Sequence, residues 1–170
     1  MTQSDMHIAV YTGSFDPITL GHLNVIERCS RLVGRLVIGI GVNIDKQSLF
    51  SIDERIALVR QATAALKNIE IRSFDGLAVD FVSDCRSRVM VRGVRSLSDM
   101  EAEFTMSLAN RKLAPDIETV FLMAGEEYSH ISSSLIKQIA SLAGEDELRR
   151  FVPDMVATAL RERLRAQDES

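Results

Sequence analysis

Three observations predict an α/β protein built on a doubly wound five-stranded parallel sheet. Short β-type runs alternate with longer segments of helical period. The runs are apolar throughout, as strands covered on both faces are. Five such βα units follow one another with no repeat, low-complexity tract or linker between them.

The elements read in order. His7–Tyr11 is a strand ending at Thr12-Gly13, and Leu23, Ile26, Cys29 and Val33 recur at helical spacing across Gly21–Leu32. Leu36–Val42 is a second strand. Ser51-Ile52-Asp53-Glu54 has the form of a capping box and opens a helix to about Leu66. Ile69–Phe74 is the third strand and Leu77–Arg86 a short helix. Val89–Val91 is the fourth strand, after which Ser98 and Glu101 form a second capping box for a helix to Leu113, before Pro115. Thr119–Met123 is the fifth strand. Helices close the chain at Ser133–Leu142 and, after Pro153, to about Arg165.

Composition narrows the function. The 170 residues suit one domain spanning 1–170, and 46% hydrophobic with 26% charged residues is ordinary for a soluble globular fold. No apolar run approaches the ~20 residues of a membrane span, and Met1–Met6 is polar, so neither membrane nor secretory signal is expected. Cys29 and Cys85 are too few for a disulfide framework and suit a reducing, cytoplasmic setting. A net charge of −4 argues against a nucleic-acid partner.

Ligands of doubly wound sheets bind beyond the carboxyl ends of the strands, where the strand order switches. After the first strand comes Thr12-Gly13-Ser14-Phe15-Asp16-Pro17-Ile18-Thr19-Leu20-Gly21-His22. Its glycines permit close backbone approach, and His22 falls in a first helical turn, where free N–H groups favour phosphate. Lys46 follows the second strand; alone it is a solvated loop lysine, in company a mobile phosphate ligand. Arg92-Gly93-Val94-Arg95 follows the fourth strand and forms either a double phosphate clamp or surface ion pairs. Glu103 is most simply a solvated helix residue. Tyr128-Ser129-His130-Ile131-Ser132-Ser133-Ser134 leads into a helix, where serines cap and can also cradle phosphate.

Other chemistries find no footing. Gly39-Ile40-Gly41 starts a dinucleotide fingerprint, but Ile44 stands in place of its third glycine. No P-loop, nucleophile elbow or zinc-ligand spacing occurs. Cys29 reads as core, and Arg161–Arg165 as a solvated terminal helix face.

Thr19-Leu20-Gly21-His22 resembles the [HT]-x-G-H signature of the nucleotidylyltransferase superfamily, and Ile131-Ser132-Ser133-Ser134 its I-S-S-[ST] partner. With Gly13–Pro17, the Lys46 loop and Arg92–Arg95, the chain resembles the bacterial phosphopantetheine adenylyltransferase family over nearly its whole length. The resemblance implies a Rossmann-like nucleotidyltransferase fold with C-terminal helices, typically homohexameric. It implies transfer of AMP from ATP to 4′-phosphopantetheine, with Mg²⁺, giving 3′-dephospho-coenzyme A and pyrophosphate.

By the same resemblance, Ser14, Phe15 and His22 meet ATP, and so do Gly93, Val94, Arg95 and Glu103. Tyr128, Ser129, His130, Ile131, Ser132, Ser133 and Ser134 complete that set. Ser14, Lys46, Ala78 and Arg92 meet the acceptor, while His22, Lys46 and Arg92 carry the chemistry. Metal-binding side chains are not expected. Thr12 stands where many members have proline, and Leu20 where several have asparagine. Ala78 stands for a leucine or methionine, and Tyr128 and His130 for a tryptophan and a phenylalanine. Another nucleotidyltransferase of the superfamily, or a silent nucleotide-binding module, are the competing readings. The intact His22, Lys46 and Arg92 weigh against the second.

Overall fold

The computed structural model of the chain describes residues 7–42 and 48–168. Its elements run β1 (Ile8–Gly13), α1 (Leu20–Ser30), β2 (Arg35–Gly41), α2 (Ile52–Ala62), β3 (Ile69–Phe74) and α3 (Ala78–Asp84). Then come β4 (Val89–Val94), α4 (Leu97–Leu113), β5 (Glu118–Met123), α5 (Ser133–Ile139), α6 (Glu145–Leu148) and α7 (Asp154–Asp168). The strands form one sheet of order β3-β2-β1-β4-β5 with every pairing parallel. This is the doubly wound sheet that the alternating pattern predicts. The order reverses between β1 and β4, so a crevice opens above their carboxyl ends.

Alternate residues of each strand enter opposite cores, as a pleated backbone requires. Ala9, Tyr11, Leu36, Ile38, Ile40 and Val91 pack against α1, α2, α5, α6 and α7. Val10, Val37 and Met90 pack against Val79, Phe81, Val82 and Cys85 on the α3 side. Cys29 is buried in the first core, as its helical position predicts. The Gly39 of the abandoned fingerprint has a packing role. A Cβ there would lie 2.4 Å from the Phe81 ring, which stacks on Phe74 with centroids 4.5 Å apart.

Boundaries differ from the sequence reading where capping decides them. The α4 cap is Ser96, whose side chain accepts from the Asp99 N–H, so the helix starts before Ser98. Helix α1 starts at Leu20 behind a Thr19 cap and stops short of Leu32, while α2 stops at Ala62. The helix expected over Ser133–Leu142 ends at Ile139, and the separate short α6 follows Gly144. Strand β4 runs on to Val94, carrying Arg92 and Gly93 within the sheet. The Arg161–Arg165 face is not wholly solvated: Arg163 pairs with Glu54 and lies 5.6 Å from the Phe50 ring centre.

Candidate active site

A cleft lies over the carboxyl ends of β1 and β4, the point at which the strand order reverses. Its walls include Ser14, Gly21 and His22 from the β1–α1 segment, Arg92, Gly93 and Arg95 from β4, and Ile131–Ser134. Three segments remote in sequence are thus brought together, as the strand-end argument predicts.

Thr19 caps α1 and fixes His22. The His22 N–H donates to Thr19 Oγ1 (3.3 Å), and the Thr19 N–H donates back to His22 Nδ1 (3.1 Å). Thr19 Oγ1 also lies 3.0 Å from Nδ1. Because Nδ1 accepts from the backbone, the imidazole proton sits on Nε2. The Phe15 ring packs beside it, with centroids 5.1 Å apart. Burial, with Arg95 and Arg92 nearby, lowers the His22 pKa to about 4. At neutral pH it is an uncharged N–H donor.

Arg92 is held on three sides. Its Nε and Nη2 make a bidentate pair with Glu103 carboxylate oxygens, each at 2.6 Å. Nη1 donates to the Thr12 carbonyl (2.8 Å) and to Thr12 Oγ1 (2.9 Å). Burial alone would lower the Arg92 pKa, but the hydrogen bonds and charge of Glu103 outweigh it and raise it. Glu103 is therefore not a solvated helix residue. It is the counter-ion of a cleft arginine. Arg95 pairs with Asp99 through Nε (2.8 Å) and Nη2 (3.2 Å), and Nη1 reaches the Ile131 carbonyl (2.5 Å). It thereby ties the end of β4 to the serine segment. Between the two arginines, Gly93 leaves room for the buried Tyr11, whose hydroxyl would lie 2.8 Å from a Cβ.

On the serine side, Ser132 caps α5 by accepting from the Leu135 N–H (3.0 Å). Ser133 Oγ donates to the Pro17 carbonyl (2.8 Å), locking this segment onto the β1–α1 loop. Ser134 is exposed at the cleft edge.

Several expected residues stand elsewhere. Phe15 and Val94 are buried, so their side chains support the cleft from behind. Ala78 begins α3 and packs against the second core, away from the cleft lining. Tyr128 stands over Gly21, where an added Cβ would lie 3.6 Å from the Tyr128 Cβ. Exposed His130 meets Phe151 edge-on at 6.0 Å, and Ser129 is exposed. Lys46 lies outside the described residues. Thr12, Thr19, Tyr11 and Asp99 were not singled out as functional from sequence. Thr19 had a signal, since a threonine three residues before His22 is an N-cap pattern. Asp99 lies four residues after Arg95, a local pairing distance, whereas Thr12 and Tyr11 become visible only once β1 and β4 are adjacent.

Among the described residues no group of three or more His, Cys, Asp or Glu side chains is arranged to hold a metal ion. The acids nearest the cleft arginines, Glu103 and Asp99, are each engaged by one of them.

The cytidylyltransferase-like family profile matches residues 10–139. The phosphopantetheine adenylyltransferase of Rhodopirellula baltica is 58% identical over 160 residues, covering 94% of this chain and 89% of its own length. That of Clostridium perfringens is 45% identical, covering 94% of this chain and 96% of its own. Among solved structures, a Vibrio parahaemolyticus protein assigned as a nicotinate-nucleotide adenylyltransferase superposes with a TM-score of 0.64. It is 14% identical over 90% of each chain, a likeness of fold.

Proposed function

Since this chain belongs to the phosphopantetheine adenylyltransferases, within the cytidylyltransferase-like family, we propose that it transfers the AMP moiety of ATP to 4′-phosphopantetheine. The products are 3′-dephospho-coenzyme A and pyrophosphate, a step of coenzyme A synthesis. The carrying observation is 43–58% identity to enzymes of that name over most of the chain. The arginine-flanked cleft at the β1/β4 switch agrees with it.

A phosphate oxygen of the acceptor attacks the α-phosphorus of ATP. The bond from that phosphorus to the α–β bridging oxygen breaks, and pyrophosphate leaves with the electron pair. The acceptor is already an anionic nucleophile, so positioning and electrostatics are the main work. Arg92 and Lys46 offset repulsion between the acceptor phosphate and the triphosphate. His22 offers its Nε2–H to an α-phosphate oxygen, in a tautomer fixed before substrate arrives. Arg95, Gly93, Ser133 and Ser134 take the ATP side, and Ser14 stands between the two substrates. Phe15, Val94 and Tyr128 shape that side from behind. Mg²⁺ fits as a companion of the nucleotide, because it binds largely through substrate phosphates and water. The described residues offer it no cage of their own.

Self-association, with the hexamer as the family's form, is supported by apolar exposure on both sides of α4 and along β5. Helix α4 carries no buried residue, and Leu97, Phe104, Met106, Leu108 and Leu113 are all more than half exposed. Val120 and Met123 of the edge strand β5 are exposed as well, on opposite faces of the sheet. Such a surface fits burial against another copy. A cytoplasmic setting accords with the two free buried cysteines, and among the described residues no helix is long and apolar enough to cross a membrane.

The test is pyrophosphate release from ATP with 4′-phosphopantetheine, and separately with nicotinamide mononucleotide. Release with the first acceptor is expected. Release with the second alone would overturn the assignment.

A further inference from the structure

Arg55 is a buried cation with no obvious reason to be charged. It sits in the first turns of α2, 4% exposed, on the face that also buries Leu58 and Val59. Its Nη1 donates to the Ser14 carbonyl (3.0 Å) and to the Gly41 carbonyl (3.1 Å). Nε is buried with no hydrogen-bond partner. Among the described residues no carboxylate lies within ion-pair distance of it. The nearest buried acid in sequence to Ser14, Asp16, is fully used: it accepts from the Leu49 and Phe50 N–H groups and from Lys137.

Carbonyl dipoles alone compensate a buried guanidinium poorly, and leaving one without a counter-ion is strongly unfavourable. If the only task were tying the ends of β1 and β2 together, a neutral donor would do it at lower cost. The charge makes sense if an anion comes to it. The Ser14 carbonyl that Arg55 holds belongs to a residue lining the cleft.

We propose that Arg55 is a positioning residue for the acceptor phosphate: it fixes Ser14 and places a buried positive charge behind the point where that phosphate binds. This rests on the reading of Ser14 as an acceptor contact. Arg55 itself touches no substrate. It acts through the Ser14 backbone and, in a medium of low polarity, through its field. The cleft arginines differ from it in that each already has its carboxylate. Arg55, among the described residues, has no carboxylate of its own, so its charge remains for the substrate to meet.

The experiment compares binding of 4′-phosphopantetheine and of unphosphorylated pantetheine by calorimetry, in wild type, Arg55→Gln and Arg55→Lys, each checked for folding by circular dichroism. Glutamine keeps an N–H donor for the carbonyls and loses the charge; lysine keeps the charge. Arg55→Gln is expected to weaken binding of the phosphorylated ligand at least tenfold. Pantetheine binding and the KM for ATP should stay within twofold of wild type. Arg55→Lys is expected to keep the preference for the phosphorylated ligand within about threefold. A wild-type preference in folded Arg55→Gln would overturn the proposal. So would loss of the preference in Arg55→Lys, which decides the matter if the glutamine variant does not fold. A wild-type enzyme that releases no pyrophosphate with 4′-phosphopantetheine would instead overturn the functional assignment, before any variant is compared.

Discussion

His22 accepts at Nδ1 from the Thr19 backbone and stands near two arginines, so it enters the reaction as a neutral donor. Removing it in His22→Ala should lower kcat at least ~10²-fold, the scale of one preorganised donor, as steady-state turnover would record. The same geometry has a consequence for stability. Burial holds the folded pKa at about 4, below the ordinary imidazole value of 6.5 that the unfolded chain keeps. Between those values the unfolded chain binds the proton and the folded one does not, so stability rises with pH through that window. Stability from this source is present above about pH 6.5 and lost as pH falls toward 4. Urea melts of wild type from pH 4.5 to 7 should show a slope of up to about 1.4 kcal/mol per pH unit that His22→Gln lacks. Thr12 gains meaning at this scale too. Its Oγ1 accepts from Arg92, which a proline in its place could not do.

At the scale of elements, β2 and α3 meet through an absence. Because Gly39 has no Cβ, the Phe74–Phe81 stack lies directly on the strand. Gly39→Ala should therefore destabilise the fold by about 1–3 kcal/mol, read as a lower urea midpoint with unchanged m. The strands and most helices were legible in sequence because continuous apolar runs and 3.6-residue spacing report burial directly. The strand-end loops were legible as site candidates because a parallel sheet has one functional edge. Glu103 entered the site only through the family resemblance and not from its own pattern, because its partner Arg92 lies on another element and only tertiary packing makes them neighbours. Arg55 carried a signal: it falls three and four residues before Leu58 and Val59, on the buried face of a capped helix. The α4 cap was misjudged by two residues because Ser96 and Ser98 both precede acids at cap spacing, and the chain uses the first.

Across the whole molecule, the apolar exposure on α4 has a test of its own. Leu108→Glu puts a charge one turn from Phe104, on the same side of the helix, in a groove shared with Ile117 and Phe121. Sedimentation velocity should show the assembly falling to smaller species while the far-ultraviolet spectrum is unchanged. An unaltered assembly in that variant would tell against α4 as the contact. Glu103, the carboxylate that holds Arg92, sits on the same helix.

The pairing of Arg92 with Glu103 and of Arg95 with Asp99 also governs how substrates arrive. Each cleft arginine carries its own opposite charge, and His22 is neutral, so these groups present little net potential to solvent. A phosphate feels them only at contact, when it competes with a carboxylate for the guanidinium. Encounter with ATP should then owe little to long-range attraction. Its association rate, followed by stopped flow, should change less than about threefold between 20 and about 200 mM salt, where a steered encounter falls steeply. The carboxylates that hold Arg92 and Arg95 would thus make these two groups selective by fit at close range, leaving any attraction at a distance to other cations.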